Sequence, residues 1–110
     1  MSLTPKLIFE DKIANRLKED PSLGKEINAT YLFNITGETG GTWNIALNSH
    51  SQEVQAGTIE NAQCAITISD KDLVNLVQGT LNPQMAFMTG KLKVKGDLGL
   101  ALKLGKILKA

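Results

Sequence analysis

The spacing of apolar positions changes along the chain, and each change marks an element. Phe9, Ile13 and Leu17 recur at every fourth position, which places them on one face of a helix. Thr4-Pro5 gives that helix a hydroxyl N-cap and a proline at its first position, and Asp20-Pro21 ends it. Ser22 to Glu26, with Gly24, reads as a polar loop. Beyond it the period falls to two. Tyr31, Phe33 and Ile35 alternate with Thr30, Asn34 and Thr36, and Trp43, Ile45 and Leu47 alternate with Asn44 and Asn48. The glycine-rich turn from Gly37 to Gly41 joins these two strands into a hairpin.

A weaker strand is expected from Glu53 to Ile59, with Val54 and Ala56 on one face, and a strong one at Cys64, Ile66 and Ile68. Ser69 with Asp72 resembles a capping box, and Leu73, Val74, Leu76 and Val77 follow as a short helix with Gly79 at its C-cap. Asn82-Pro83 repeats the signal for a helix start, and that helix carries Met85, Phe87 and Met88 before Gly90. Lys91 to Lys95 alternates strictly and suits an edge strand, where lysines discourage further pairing. Gly96-Asp97 turns the chain into a last helix, Leu98 to Leu108. Strands and helices are partly segregated, so the expected class is α+β.

Composition adds limits. The chain has 110 residues, 42% of them hydrophobic and 21% charged, as expected for one globular domain over residues 1–110. No apolar run nears the roughly 20 residues that span a bilayer, and no leader peptide is expected. Cys64 is the single cysteine, which excludes an internal disulfide and suits a reducing, intracellular setting. The net charge of +1 hides an asymmetry. Residues 1–89 carry six basic and ten acidic side chains, whereas residues 90–110 carry six lysines against Asp97 alone. A basic end can attract phosphate, a membrane surface or an acidic partner, or can simply keep an apolar helix soluble. Lys91, Lys93 and Lys95 lack interleaved aromatics for base stacking, so nucleic acid is not expected.

The last helix changes the picture most. Leu98, Leu100, Leu102, Leu104, Ile107 and Leu108 do not fit one narrow stripe at about 100° per residue. A five-stranded sheet offers one inner face to such a helix. Its second side then covers ordinary core, another protomer, a membrane or a bound apolar ligand. Methionines on the preceding helix suit a surface that adapts to varied partners. Catalytic groupings are absent. His50 lies in a turn of Asn and Ser, and nothing near Cys64 in sequence would depress its pKa. Gly37 to Gly41 lacks the lysine and hydroxyl of a phosphate loop. Neither an enzyme nor a metal site is expected.

The run from Asn82 to Leu104, NPQMAFMTGKLKVKGDLGLALKL, resembles the signature stretch of the sterol carrier protein-2 domain family. Ala62 to Asp70 resembles that family's fourth strand and the acidic start of its next helix. Asp72, Leu73 and Gly79 fall where the family has a helix ending in glycine, and Thr42-Trp43 resembles its second strand. Asn15-Arg16-Leu17 and Asp20-Pro21 are most similar to short, free-standing insect members.

The resemblance implies a five-stranded sheet in the order 3-2-1-4-5, with helices over one face and an apolar tunnel between. It implies a carrier that binds fatty acids, fatty acyl-coenzyme A or sterols and moves them between membranes or to enzymes. A non-catalytic domain that presents lipid to, or binds, another protein is the alternative. No cofactor is implied. A monomer or weak homodimer, in transient contact with membrane surfaces, is expected. Many members end in a Ser-Lys-Leu-type peroxisomal signal. This chain ends Ile107-Leu108-Lys109-Ala110, so a cytoplasmic protein is expected.

For the ligand head group the resemblance singles out Arg16, Lys25, Glu26 and Ile27, at the end of the first helix and the loop after it. Lysine offers no bidentate fork to a carboxylate, and Glu26 sets a negative charge beside the anion. Strand parity and the helices give the tail cavity as Phe33, Ile35, Ile45, Leu47, Ile66, Ile68, Leu73, Met85, Met88, Leu102 and Leu108. Each of these can equally be core, and Arg16 and Lys25 can equally be surface charge.

Overall fold

A computed structural model of the chain describes residues 3–20, 22–48, 50–103 and 107. Strands β1 (Thr30–Thr36), β2 (Gly41–Leu47), β3 (Gln52–Ala56), β4 (Cys64–Ser69) and β5 (Leu92–Gly96) form one sheet in the order β3-β2-β1-β4-β5. β1 pairs antiparallel with β2 and parallel with β4, and the remaining pairs are antiparallel. The link from β3 to β4 must therefore carry the chain past β2 and β1. Asn44, buried on the outer face of β2, holds the start of that link: its Nδ2 donates to the Gly57 carbonyl at 3.0 Å.

Register brings the apolar positions onto one face. Tyr31 lies beside Ile45 and Cys64, Phe33 beside Trp43 and Ile66, and Ile35 beside Ile68. Ile66 and Ile68 in turn meet Val94 and Leu92 of β5. This inner face is covered by helices. The opening helix runs as α1 (Pro5–Leu7), a π-helical stretch (Ile8–Ile13) and α2 (Ala14–Glu19). Thr4 caps it, its Oγ1 accepting from the Leu7 N–H. Phe9 drops from the π stretch onto the sheet, stacked on Trp43 with ring centroids 4.9 Å apart and tilted against Phe33 at 5.0 Å.

Then come α3 (Ser22–Ile27), α4 (Asp70–Gln78), α5 (Pro83–Met88) and α6 (Leu98–Leu102). Ser69 Oγ accepts from the Asp72 N–H at the start of α4. Gly79, at φ +83°, ends that helix in the left-handed region that glycine enters without strain.

Two boundaries differ from the sequence expectation, and a third lies mostly outside the described residues. Ser22 to Glu26 is helix, not loop: Asp20 Oδ1 accepts from the Ser22 N–H, and Leu23 and Ile27, four apart, face the core. β3 stops at Ala56 instead of reaching Ile59, because the chain turns at Gly57, whose φ is +110°. The last helix is described from Leu98 to Leu102 with Lys103 as its C-cap, and of its expected continuation over positions 104–108 only Ile107 lies among the described residues, fully buried. No helix among the described residues is long and apolar enough to cross a membrane.

Candidate functional site

The inner face of the sheet is an apolar wall with a helical layer against it. Phe33, Ile35, Ile45, Leu47, Ile66 and Ile68 are all buried on this face, and Leu73 of α4 is buried against it. α4 touches β4 and β1, α5 touches β5, and α6 touches β4 and β5. An alternating strand points every second side chain to the same side, so these residues share one wall.

One polar group interrupts the wall, and the sequence reading passed over it. The Tyr31 hydroxyl is buried and donates to the Leu100 carbonyl at 2.7 Å, tying α6 to β1. Burial, with the neighbouring Cys64 and Asp97, pushes the Tyr31 pKa far up, so the phenol stays protonated as a donor. Burial also pushes the Cys64 thiol up to about 11, which leaves it a poor nucleophile. Both arise from the same cause, since ionising either would place a charge inside the apolar layer.

α5 and α6 are arranged differently. Ala86 of α5 and Leu100 and Ala101 of α6 face inward and are buried. Met85, Met88 and Leu102, expected within a cavity, are instead 50%, 72% and 53% exposed. The reason is angular. On α5 the small Ala86 occupies the inward position, and Met85 and Met88 lie about 100° and 160° away from it around the axis. Leu98 and Leu102, one turn apart, share the outer side of α6 and leave the inner side to Leu100 and Ala101. Leu108, also expected in the cavity, lies outside the described residues.

The expected head-group residues are divided between α2 and α3. Arg16 is half-buried in α2, and Lys25 and Glu26 are exposed on α3. Arg16 and Glu26 are each engaged within the protein, so an incoming carboxylate would have to compete there. Ile27 is corrected to a core residue: it is 5% exposed and faces the sheet, four positions after buried Leu23.

A residue outside the expected set builds the junction of α2 and α3. Gln52 of β3 donates from Nε2 to the carbonyls of Leu17 (2.6 Å) and Asp20 (3.0 Å), and its Oε1 accepts from the Gly24 N–H. One amide thus satisfies two carbonyls at the end of α2 and an N–H of α3. A Cβ at Gly24 would meet the Asn48 carbonyl oxygen and stand 2.7 Å from Gln52 Oε1, so the close approach requires glycine. Gly24, which looks like a helix breaker in the sequence, is the residue that lets α3 sit against β2 and β3.

A separate groove of about 250 Å³ lies where β1 and β4 end, lined among others by Thr36, Thr67, Ser69, Asp72, Lys91 and Lys93. Its hydroxyls and mixed charge suit water better than an acyl chain. Among the described residues no group of three or more His, Cys, Asp or Glu side chains could hold a metal ion.

Comparison with known proteins gives a consistent result. The model of the SCP-2 sterol transfer family matches residues 10–109. Human hydroxysteroid dehydrogenase-like protein 2 is 42% identical over 85 residues, 76% of this chain and 20% of that protein. The chain thus spans about a fifth of the length of such curated relatives. Sterol carrier protein 2 from Yarrowia lipolytica, solved in an apo form, is 33% identical, with a TM-score of 0.73 over 89% of this chain and 84% of that one. Sterol carrier protein-2 from Aedes aegypti, solved in complex with the C16 fatty acid palmitate, shares the fold at 24% identity. Its TM-score is 0.70, covering 98% of this chain and 96% of that one.

Proposed function

We propose that this chain, which belongs to the SCP-2 sterol transfer family, binds one long-chain fatty acid, or a lipid of similar apolarity, between its sheet and its helices. It then carries that lipid through water. The observation that carries the reading is the apolar inner wall of the sheet, faced by small or few inward side chains on α5 and α6. The inner wall of β1, β2 and β4 is apolar apart from the Tyr31 hydroxyl, the Trp43 indole N–H and the Cys64 thiol, and Ala86, Leu100 and Ala101 hold the inward positions of α5 and α6. An acyl chain between the layers would lie against that wall and the small inward residues Ala86 and Ala101. Each methylene taken from water contributes about 0.8 kcal/mol, so a long chain offsets the costs of association. The palmitate held by the Aedes aegypti protein of the same fold supports a fatty acid as the first ligand to try.

The polar end of the ligand belongs at the α2–α3 junction in this reading. Arg16 and Lys25 supply positive charge there, and the Gln52 bracket holds the two helices in register.

The test is titration of delipidated, folded protein with a fluorescent fatty acid. Saturable uptake of one molecule per chain is expected, with thermal stability rising with ligand concentration. Absence of saturable uptake by folded protein would overturn the carrier reading. Arg16→Ala should weaken a fatty acid about tenfold more than an uncharged sterol, since a charge-assisted contact is the kind lost. Equal losses for both would reject the head-group role.

A further inference from the structure

The groove where β1 and β4 end is polar, and most of the groups that line it have nothing in the protein to bond. Register builds it. Thr36 lies beside Ser69, and Thr67 beside Lys93. All four have the parity opposite to Ile35, Ile66 and Ile68, so they belong to the outer face of the sheet, away from the helical layer. Asp72 joins them from the first turn of α4, and Lys91 from the residue before β5.

Elsewhere the protein engages such groups itself. Of its five aspartates, Asp11, Asp20, Asp70 and Asp97 each accept a hydrogen bond through the carboxylate. The hydroxyls of Thr39, Thr80 and Thr89 each donate to a nearby oxygen. In the groove that pattern stops. Ser69 Oγ accepts from the Asp72 N–H. Among the described residues, the Asp72 carboxylate, the Thr36 and Thr67 hydroxyls and the Lys91 and Lys93 ammonium groups have no hydrogen-bond or ion-pair partner in the protein. Opposite charges that line one groove without pairing are both left open to a ligand.

These groups select its chemistry. Two ammonium groups against one carboxylate favour an anion. Lysine holds phosphate as a point charge, whereas planar, bidentate capture of a carboxylate calls for arginine, and none lines the groove. The two open hydroxyls can donate to further phosphate oxygens. The Asp72 carboxylate repels an anion and takes a donor instead, so the ligand carries a hydroxyl group beside its phosphate. No aromatic ring lines the groove, which leaves a nucleobase without a stacking platform. Its volume of about 250 Å³ falls below the range of about 300–1,000 Å³ for drug-sized ligands. We propose that this groove binds a small phosphate monoester of a polyol, with the phosphate at Lys91 and Lys93 and a hydroxyl at Asp72. The inference does not depend on the carrier reading, because the groove lies at the end of the sheet and its ligand needs no lipid inside.

The test is titration of the isotope-labelled full chain with glycerol phosphate, followed by amide signals. Saturable shifts are expected at Thr36, Thr67, Lys91 and Lys93. Inorganic phosphate should move the same signals with weaker affinity, and glycerol should leave them in place. Lys91→Gln with Lys93→Gln should weaken glycerol phosphate about tenfold or more, as loss of hydrogen bonds to a charged group does. Lys95→Gln, beside Ala65 and outside the groove, should not. Asp72→Asn removes a negative charge, so it should tighten inorganic phosphate and narrow the advantage that glycerol phosphate has over it. Thermal unfolding checks each variant. If Asp72→Asn unfolds, the lysine pair, on exposed positions, decides alone. No saturable shift at the groove, equal weakening by Lys95→Gln, or inorganic phosphate bound as tightly as glycerol phosphate would overturn the proposal. So would shifts that appear only with phosphatidic acid vesicles and never with the soluble ester, which would assign the phosphate to a lipid headgroup.

Discussion

The centre and the β5 edge of the sheet treat apolar side chains in opposite ways. Around β1 and β2 the protein supplies its own partners. Phe9 is stacked on Trp43 and set against Phe33, and the Trp43 Nε1–H reaches Glu10 Oε2 at 3.3 Å. Around β5 it does not. α5 and α6 are five or six residues long, present small or few side chains inward, and leave methionine and leucine in water. Aromatic rings that interlock specify one packing, whereas flexible aliphatic side chains accept many. The first region is built to hold the fold and the second to meet something else.

The sharpest way to break this comparison is to truncate one residue from each region. Phe33→Ala should cost about 3–5 kcal/mol of stability, because it empties space under Phe9. Leu102→Ala should cost no more than about 0.5 kcal/mol, as exposed substitutions do. Denaturant titration of both variants measures the difference, and equal costs would dissolve the distinction.

Cys64 and pH probe the same region. With its pKa raised from about 9 to about 11, the folded state holds the thiol proton more tightly than the unfolded chain. This contribution is full below pH 9 and is lost as pH rises toward 11. At pH 8 iodoacetamide should therefore modify native Cys64 about 100-fold more slowly than the urea-unfolded chain, the factor that two pKa units give. Comparable rates would show an accessible thiolate and a wall that is not sealed.

Gln52→Ala sits between the regions in expected size. It strips partners from two helix carbonyls and one N–H and should cost about 1–3 kcal/mol, with faster amide exchange in α3. A silent variant would mean that water replaces the amide fully. Tyr31→Phe is the mildest of the set. Loss of its bond to Leu100 should cost about 1 kcal/mol and speed amide exchange in α6 without altering α4. Unchanged exchange in α6 would show that the phenol does not restrain that helix.

β1, β2 and β4 were legible because apolar and polar residues alternate along them, and parity alone put Phe33, Ile45 and Ile66 on one wall. The order 3-2-1-4-5 came from the family resemblance, not from periodicity. α3 was missed because Gly24 and Pro21 look like breakers. The reason for Gly24 lies in Asn48 and Gln52, more than twenty residues on, where no local pattern points. The Tyr31–Leu100 bond, 69 positions apart, is hidden from any window of sequence for the same reason. Met85, Met88 and Leu102 were assigned inward because large apolar side chains usually are. With Ala86, Leu100 and Ala101 filling the inner positions, they turn outward instead.

The central claim is that a fatty acid lies between the inner wall and the helices. Methyl-labelled protein titrated with palmitate tests it most directly. The account predicts that the methyl signals of Ile45, Ile66 and Leu73 shift in step with saturation, while Leu32, on the outer face of β1, stays in place. Shifts at Leu32 with the inner methyls unmoved would contradict it.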